Sequence, residues 1–348
     1  MPWRFSRLTK RVEMTDSIEI FATSPQSLGA DPPTYKERVI QTARWSESAG
    51  CTGTLVYTDN SIVDPWMVAD TIIQHTASLC PLVAVQPIYM HPYTAAKMAA
   101  TLAYLHGRRI YLNMVAGGFA NDLAALNDRT PHDRRYARLA EYVEIISRLL
   151  DGGSVSFTGE FYGVTNLRLC PPVPAHLRPG MLMSGSSESG LATARACGAT
   201  AVVYPGPLSK YHSQPSSCSR TGIRVGIIAR SEAESAWETA HARFPADRKG
   251  QLTHELAMKV SDSVWHKELS QTARMHSAES TYWLVPFENS KTNCPYLVGS
   301  YATVASELAG YMTAGVRTFI LDIPHNEEEF EHISIVFRRA METLTVSA

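Results

Sequence analysis

Met183-Ser184-Gly185-Ser186-Ser187 is a run of small and hydroxylated residues between an apolar strand-like piece and a helix that opens at Glu188. In that setting backbone N–H groups and serine hydroxyls converge at the positive end of a helix dipole. That is chemistry for holding an anion, and in a barrel it is a common place for a phosphate. An ordinary serine-rich helix cap has the same spacing. Upstream, His132, Arg135 and Tyr136 open another helix, marked by Pro131 and Asp133, and are donors of the right kind. As plain structure they would be exposed charges and a packed tyrosine at a helix start. Asn113 closes an apolar run and could hydrogen-bond a polar heterocycle or simply satisfy a turn.

Other chemistries find no motif. No G-x-G-x-x-G follows the first strand, and no Walker A sequence occurs. Gly185-Ser186-Ser187-Glu188-Ser189 lacks the second glycine of a nucleophile elbow. His254-Glu255 has no second histidine four residues after the first, so no zincin site forms. Cys51, Cys80, Cys170, Cys197, Cys218 and Cys294 are scattered without a C-x-x-C pair, which suits reduced, packed thiols in a cytoplasmic protein better than zinc or a dithiol. A phosphorylated organic cofactor, with no metal, is the reading that survives.

Such residues need a frame. Residues 82–136 read as an apolar strand (Leu82 to Val85), a helix started near Pro92, a second strand (Arg109 to Asn113) ending in Ala-Gly-Gly, and another helix. Ala95, Met98, Ala99 and Leu102 recur at three-and-four spacing on the first helix. Strand, helix, parallel strand is the α/β unit. Its ligands sit past strand C-termini, here at Asn113, Gly117 and Gly118. Further strand-like runs are Ile18 to Ala22, Thr54 to Tyr57, Met181 to Met183, Ala201 to Tyr204, Ile223 to Ala229 and Thr318 to Leu321, eight in all. Helical patterns lie between most of them: Tyr35 to Ala49, Pro65 to Leu79, Asp133 to Leu150, Glu188 to Ala196, Glu232 to His241, Val304 to Thr313 and Glu327 to Met341. Eight alternations without a linker predict a (β/α)8 TIM barrel.

Two stretches interrupt the alternation, at about 151–179 and 244–296. Ser154 to Tyr162 reads as a hairpin around Thr158-Gly159-Glu160, followed by a proline-rich run from Cys170 to Pro179. Phe244 to Tyr296 is a long polar insertion after the seventh strand, with helical stretches such as His254 to Val264 and a loop-like Asn289 to Pro295. An insertion on the C-terminal face of a barrel is placed to act as a lid. The expected organisation is one barrel domain over 14–348.

The 348 residues carry 32 Lys+Arg against 33 Asp+Glu, a net charge of -1, with no basic stripe for nucleic acid. No apolar run approaches the roughly 18 residues of a membrane span. A small molecule is the expected partner. Residues 1–13 hold Arg4, Arg7, Lys10 and Arg11 but no apolar core of a secretory signal, and are expected to be a disordered extension ahead of Met14.

Taken in order, several segments are similar to those of the bacterial luciferase-like flavin monooxygenases, most closely the alkanesulfonate monooxygenase branch. They are Gly53-Thr54-Leu55-Val56, Asp64-Pro65-Trp66-Met67-Val68-Ala69, Thr94 to Leu102, Gly107-Arg108-Arg109 and Asn113-Met114-Val115-Ala116-Gly117. They continue with His132, Arg135-Tyr136, Ser184-Gly185-Ser186-Ser187, Gly222-Ile223-Arg224 and Pro324-His325. The resemblance runs from about residue 17 to the C-terminus. It implies reduced FMN, supplied by a separate NAD(P)H:flavin reductase, reacting with O2 through a C4a-(hydro)peroxyflavin to oxygenate a small organic substrate. It also implies a homo-oligomer. By this resemblance Ser186, Ser187 and Tyr136 hold the FMN phosphate, Asn113 and the Ala116-Gly117 turn approach the ring, and Asp59 faces the flavin. A lid would keep water from the reaction.

The departures concern the substrate end. Where alkanesulfonate enzymes carry a histidine two residues after the arginine matched by Arg224, this chain has Gly226. The tyrosine before the final Pro-His is Ile323, the cysteine ahead of Asp64 is Ile62, and the mobile-loop arginine falls near Ser290 with Lys291 beside it. Arg224 is left as the catalytic-site cation. It would meet an anionic substrate or neutralise a barrel carboxylate. A larger or less polar substrate than a simple alkanesulfonate is expected, in specialised metabolism. The competing readings are an F420-dependent oxidoreductase on the same barrel and a non-catalytic flavin-binding barrel.

Overall fold

The computed structural model describes residues 18–117, 120–211, 220–260, 264–273 and 280–347. The expected N-terminal extension, Gly118 and Cys218 lie outside the described residues. The strands are β1 (Glu19–Thr23), β2 (Gly53–Val56), β3 (Cys80–Val85), β4 (Tyr111–Val115), β5 (Ser154–Thr158), β6 (Gly163–Arg168), β7 (Gly180–Ser184), β8 (Thr200–Val203), β9 (Thr221–Arg230), β10 (Tyr282–Trp283), β11 (Tyr296–Ser300) and β12 (Val316–Leu321). Eight of them, β1 to β4, β7 to β9 and β12, are the strands expected from the apolar runs. With the helices that follow them they make the fold class a (β/α)8 barrel with insertions.

The chain divides into two compact units, one of residues 24–47 and 53–201, the other of the chain up to Thr23, 48–52 and 202 onward. In the first, β2, β3, β4 and β7 run parallel in that order. Parallel strands covered on both faces read as continuous apolar runs, and Leu82, Val83 and Leu112 are fully buried. The helix Pro65–His75 starts on Asp64, whose carboxylate accepts from the N–H groups of Trp66 (2.9 Å) and Met67 (3.2 Å), with Pro65 at the first helical position. It buries Trp66, Val68, Ala69, Ile72 and Ile73.

That helix stops at His75, four residues before the expected Leu79. Glu47 takes the N–H groups of Ala77, Ser78 and Leu79, and the Arg108 guanidinium takes the carbonyls of Thr76 and Leu79. Two distant charged side chains thus satisfy the backbone that another helical turn would have bonded internally. The expected hairpin is present as antiparallel β5 and β6. Glu141 closes its turn by accepting from the N–H groups of Glu160, Phe161 and Tyr162.

In the second unit the order is β10-β11-β9-β12-β1. Strand β9 has ten residues and pairs with both β12 and β11. Its first half pairs with β12 in parallel, Ile223 opposite Phe319 and Arg224 opposite Ile320. Its second half pairs with β11 in parallel, from Gly226 opposite Tyr296 to Arg230 opposite Ser300. Strands β10 and β11, absent from the expected strand set, tie the 244–296 insertion into the sheet. Trp283, Phe244, Trp237 and Tyr296 pack edge-to-face around them. At the end of β9 the buried Glu329 receives Arg230 (2.6 Å) and Arg243 (2.7 Å). Burial pushes its carboxyl up, but the Arg230 hydrogen bond and the two positive charges outweigh that and leave it below the usual range.

Candidate functional site

The turn after β7 assembles around Tyr136. Ser184 donates to the Asn113 side-chain carbonyl (2.9 Å), joining the ends of β4 and β7. Gly185 has φ +155°, and a Cβ there would stand 2.2 Å from the Tyr136 hydroxyl oxygen. The turn therefore needs glycine both for its backbone and to admit the phenol. Ser187 caps the helix Glu188–Ala196 and accepts from the Gly190 N–H (3.2 Å), and its hydroxyl is also hydrogen-bonded to Tyr136. Burial raises the Tyr136 phenol above its ordinary range, against the pull of the Ser187 bond and the Arg135 charge. Tyr136 is therefore a protonated donor at neutral pH. The Ser186 Oγ is buried and has no hydrogen-bond partner among the described residues.

A buried, unpartnered hydroxyl beside a capped helix start is a costly arrangement for a protein that binds nothing there. The donors present, Ser186, Tyr136 and the N–H groups of the helix start, are complementary to an oxyanion. At the edge, exposed Asp133 accepts from Ser189 (2.7 Å) and lies 2.9 Å from His132, whose ring meets Tyr136 edge-on. The Ser189 and His132 hydrogen bonds hold the Asp133 carboxyl below its usual range.

Of the other residues singled out in this unit, Ala116 is buried, and Gly117 lies against Leu123 and the aliphatic part of Arg135. Asp59 closes a turn, accepting from the Ser61 N–H (2.7 Å) and hydroxyl (2.6 Å). Nearby Tyr89, not singled out from sequence, donates to Asn60 (2.8 Å). Its phenol is pushed up to about 12 by burial and the charges of Asp122 and Asp59.

Arg224 belongs to the other unit, where it forms an ion pair with Asp322 at 3.4 Å. The other carboxylate oxygen of Asp322 accepts from the Tyr296 hydroxyl at 2.7 Å. Burial first, then the Asp322 charge, drives the Tyr296 phenol far above its ordinary range, so it remains a donor. A Cβ on Gly226 would lie 2.3 Å from the Tyr296 ring. The ring of Tyr296 thus fills the volume that a side chain at position 226 would need. The Arg224 guanidinium sits 6.0 Å from the Tyr204 ring, and Tyr204 stacks at 4.2 Å on Trp265 from the insertion. Lys291 is paired with Asp247 (2.6 Å). Neither Asp322 nor Tyr296 stood out in the sequence, because each lacks a motif and depends on strand register.

Among the described residues no group of three His, Cys, Asp or Glu could hold a metal ion, and no helix is long and apolar enough to cross a membrane. Residues 17–318 match the family model for luciferase-like monooxygenases, and the chain is an enzyme of that family. It is 38% identical over 311 residues to the 4-(gamma-L-glutamylamino)butanoyl-[BtrI acyl-carrier protein] monooxygenase BtrO of Niallia circulans, covering 87% of this chain and 91% of that one. Among solved structures it is similar to the riboflavin lyase RcaE, solved with modified FMN and riboflavin (TM-score 0.75, 14% identity, 92% of this chain and 91% of that one). It is also similar to the oxygenating constituent of 3,6-diketocamphane monooxygenase from Pseudomonas putida in complex with FMN (TM-score 0.69, 13% identity, 93% and 98%). At such identities these structures speak for the fold alone.

Proposed function

We propose that this chain is the oxygenating component of a two-component, FMN-dependent monooxygenase, taking reduced FMN from a separate reductase and oxygenating an acyl chain presented on a carrier protein. The observation that carries the cofactor half is the buried, partnerless Ser186 hydroxyl beside protonated Tyr136 at a capped helix start. These donors fit the terminal phosphate of FMN, and Gly185 lets the Tyr136 hydroxyl reach the turn. Ser186, Ser187 and Tyr136 would hold the phosphate, with Asn113, oriented by Ser184, and the Ala116-Gly117 turn toward the ring. Reduced flavin, when bound, supplies the electrons that divide O2 between substrate and water. The carrier-bound substrate rests on the relative whose name prints one, which matches most of both chains.

An anaerobic fluorescence titration tests the cofactor half. Reduced FMN is expected to bind more tightly than oxidised FMN, and the double variant Ser187→Ala with Tyr136→Phe to weaken binding at least tenfold. Equal affinity for both redox states, or unchanged affinity in the double variant, overturns the reading. Preferential binding and turnover of F420 without oxygen would instead select a dehydrogenase on the same barrel.

A further inference from the structure

Three buried tyrosines of the second unit show how a phenol is ordinarily accommodated. Tyr282 donates to the Pro205 carbonyl (2.7 Å), Tyr311 to the Gly206 carbonyl (2.8 Å) and Tyr296 to Asp322 (2.7 Å). Each hydroxyl that leaves water recovers a hydrogen bond inside the protein. Tyr204, next in the chain to Pro205, departs from them. Its hydroxyl has no hydrogen-bond partner among the described residues. Burial, followed by the nearby Cys294 and Asp322, drives the phenol far above its ordinary range, so it stays a protonated donor. The residue is nevertheless only half-buried, and its oxygen is not one of the sealed polar atoms. A donor that is unpaired, desolvated and still reachable from outside is placed for a ligand.

The phenol is also held in place. Its ring stacks on Trp265 of the insertion at 4.2 Å, with 28° between the planes, and the Arg224 guanidinium lies 6.0 Å from it. The backbone is equally constrained. Pro205 follows and restricts Tyr204 to extended conformations, while the Tyr282 and Tyr311 hydroxyls hold the two carbonyls beyond it. Tyr204 is the first residue past β8, on the strand ends where (β/α)8 enzymes bind their ligands. The stack needs only the ring, which leaves the hydroxyl without a structural task.

We propose that Tyr204 is a substrate-binding residue whose hydroxyl donates to the carbonyl oxygen of the acyl group, its ring fixed for that task by Trp265. This deepens the function proposed above and rests on it for the presence of an acyl substrate. A neutral donor suits a neutral acceptor, and an acyl thioester carries one at the head of its chain. Holding that oxygen sets how far along the chain the oxygenated carbon falls, so Tyr204 acts on position as well as on affinity.

Calorimetry on the full-length protein separates the hydroxyl from the ring and needs no turnover. The probes are an N-acetylcysteamine thioester of a straight acyl chain and the thioether of the same length, which lacks only that carbonyl oxygen. Each is titrated with and without FMN. Wild type is expected to bind the thioester at least tenfold more tightly than the thioether. Tyr204→Phe, which keeps the stack on Trp265, should bind the two equally, with thioether affinity and resistance to urea unchanged. Equal binding of the two probes by wild type, or binding of neither, overturns the proposal without any variant. So does a preference that survives in Tyr204→Phe, or a variant that loses both probes alike. Reduced-FMN affinity, titrated separately, should be the same in wild type and variant. Its absence in wild type would defeat the flavin reading alone, whereas a missing carbonyl preference with FMN still bound defeats only this assignment.

Discussion

The Tyr136 hydroxyl occupies the space beside Gly185 where any side chain would begin, 2.2 Å from the position of a Cβ. Gly185→Ala therefore meets two costs, a backbone conformation worth about 1–3 kcal/mol when forced on another residue, and eviction of the phenol. Chemical denaturation should show a loss of that order, with FMN affinity falling at least tenfold. A variant that keeps wild-type FMN affinity would show that Tyr136 and this turn do not act together on the phosphate.

Ser186→Ala should separate stability from binding. Its hydroxyl has no partner among the described residues to lose, and an unsatisfied buried hydroxyl costs about 1–3 kcal/mol. The variant should be as resistant to urea as wild type, or more so, while binding FMN roughly tenfold more weakly. A fall in stability with unchanged FMN binding would make Ser186 structural.

Glu329→Gln removes the shared partner of Arg230 and Arg243 and should cost about 3–5 kcal/mol at neutral pH, read as a lower urea midpoint. Because the folded-state carboxyl is depressed, its contribution is complete above the ordinary glutamate range and is lost as pH falls through the lower, folded value. The gap between wild type and variant should be constant from pH 8 to 5 and narrow below about 4.5. A gap independent of pH down to 3 would show that packing, not charge, is responsible.

His266 gives the insertion a pH dependence of its own. Burial, then the neighbouring His254, hold its ring down to about 4, and its Nδ1 has no partner among the described residues. An unfolded histidine protonates near pH 6.5, so the opened insertion binds more protons between 6.5 and 4. Its local stability should be full above 6.5 and decline toward 4, seen as faster hydrogen exchange in the helices Arg248–Val260 and Val264–Ala273. His266→Phe, which keeps an aromatic ring against Phe287 and Trp265, should flatten that profile. An unchanged profile in the variant would place the effect elsewhere.

Periodicity revealed what is local. The eight barrel strands, the β5–β6 hairpin and the helix Glu188–Ala196 follow from runs of apolar residues, turn residues and a serine cap, all readable along the chain. The serine-rich turn and Tyr136 were legible as donors at two separate helix starts, and only the family resemblance grouped them. What escaped was long-range. Glu47 and Arg108 end a helix about thirty residues away, and nothing around Leu79 says so. Strand β11 looked like the tail of a loop because its pairing with β9 joins residues some seventy positions apart. Gly226 read as a lost polar contact. Only register shows Tyr296 opposite it and Asp322 within the phenol's reach.

The shared strand β9 has a consequence for how this barrel can be remodelled. Residues 226–230 pair with β11 from Tyr296 to Ser300, so excising the insertion together with β11 would strip those ladder hydrogen bonds and leave bare strand backbone, a template for aggregation. Grafting experiments that exchange this insertion between relatives should therefore cut ahead of Tyr296 and keep that strand. The strand that carries Arg224 is also the one that anchors the insertion, so the two cannot be redesigned independently.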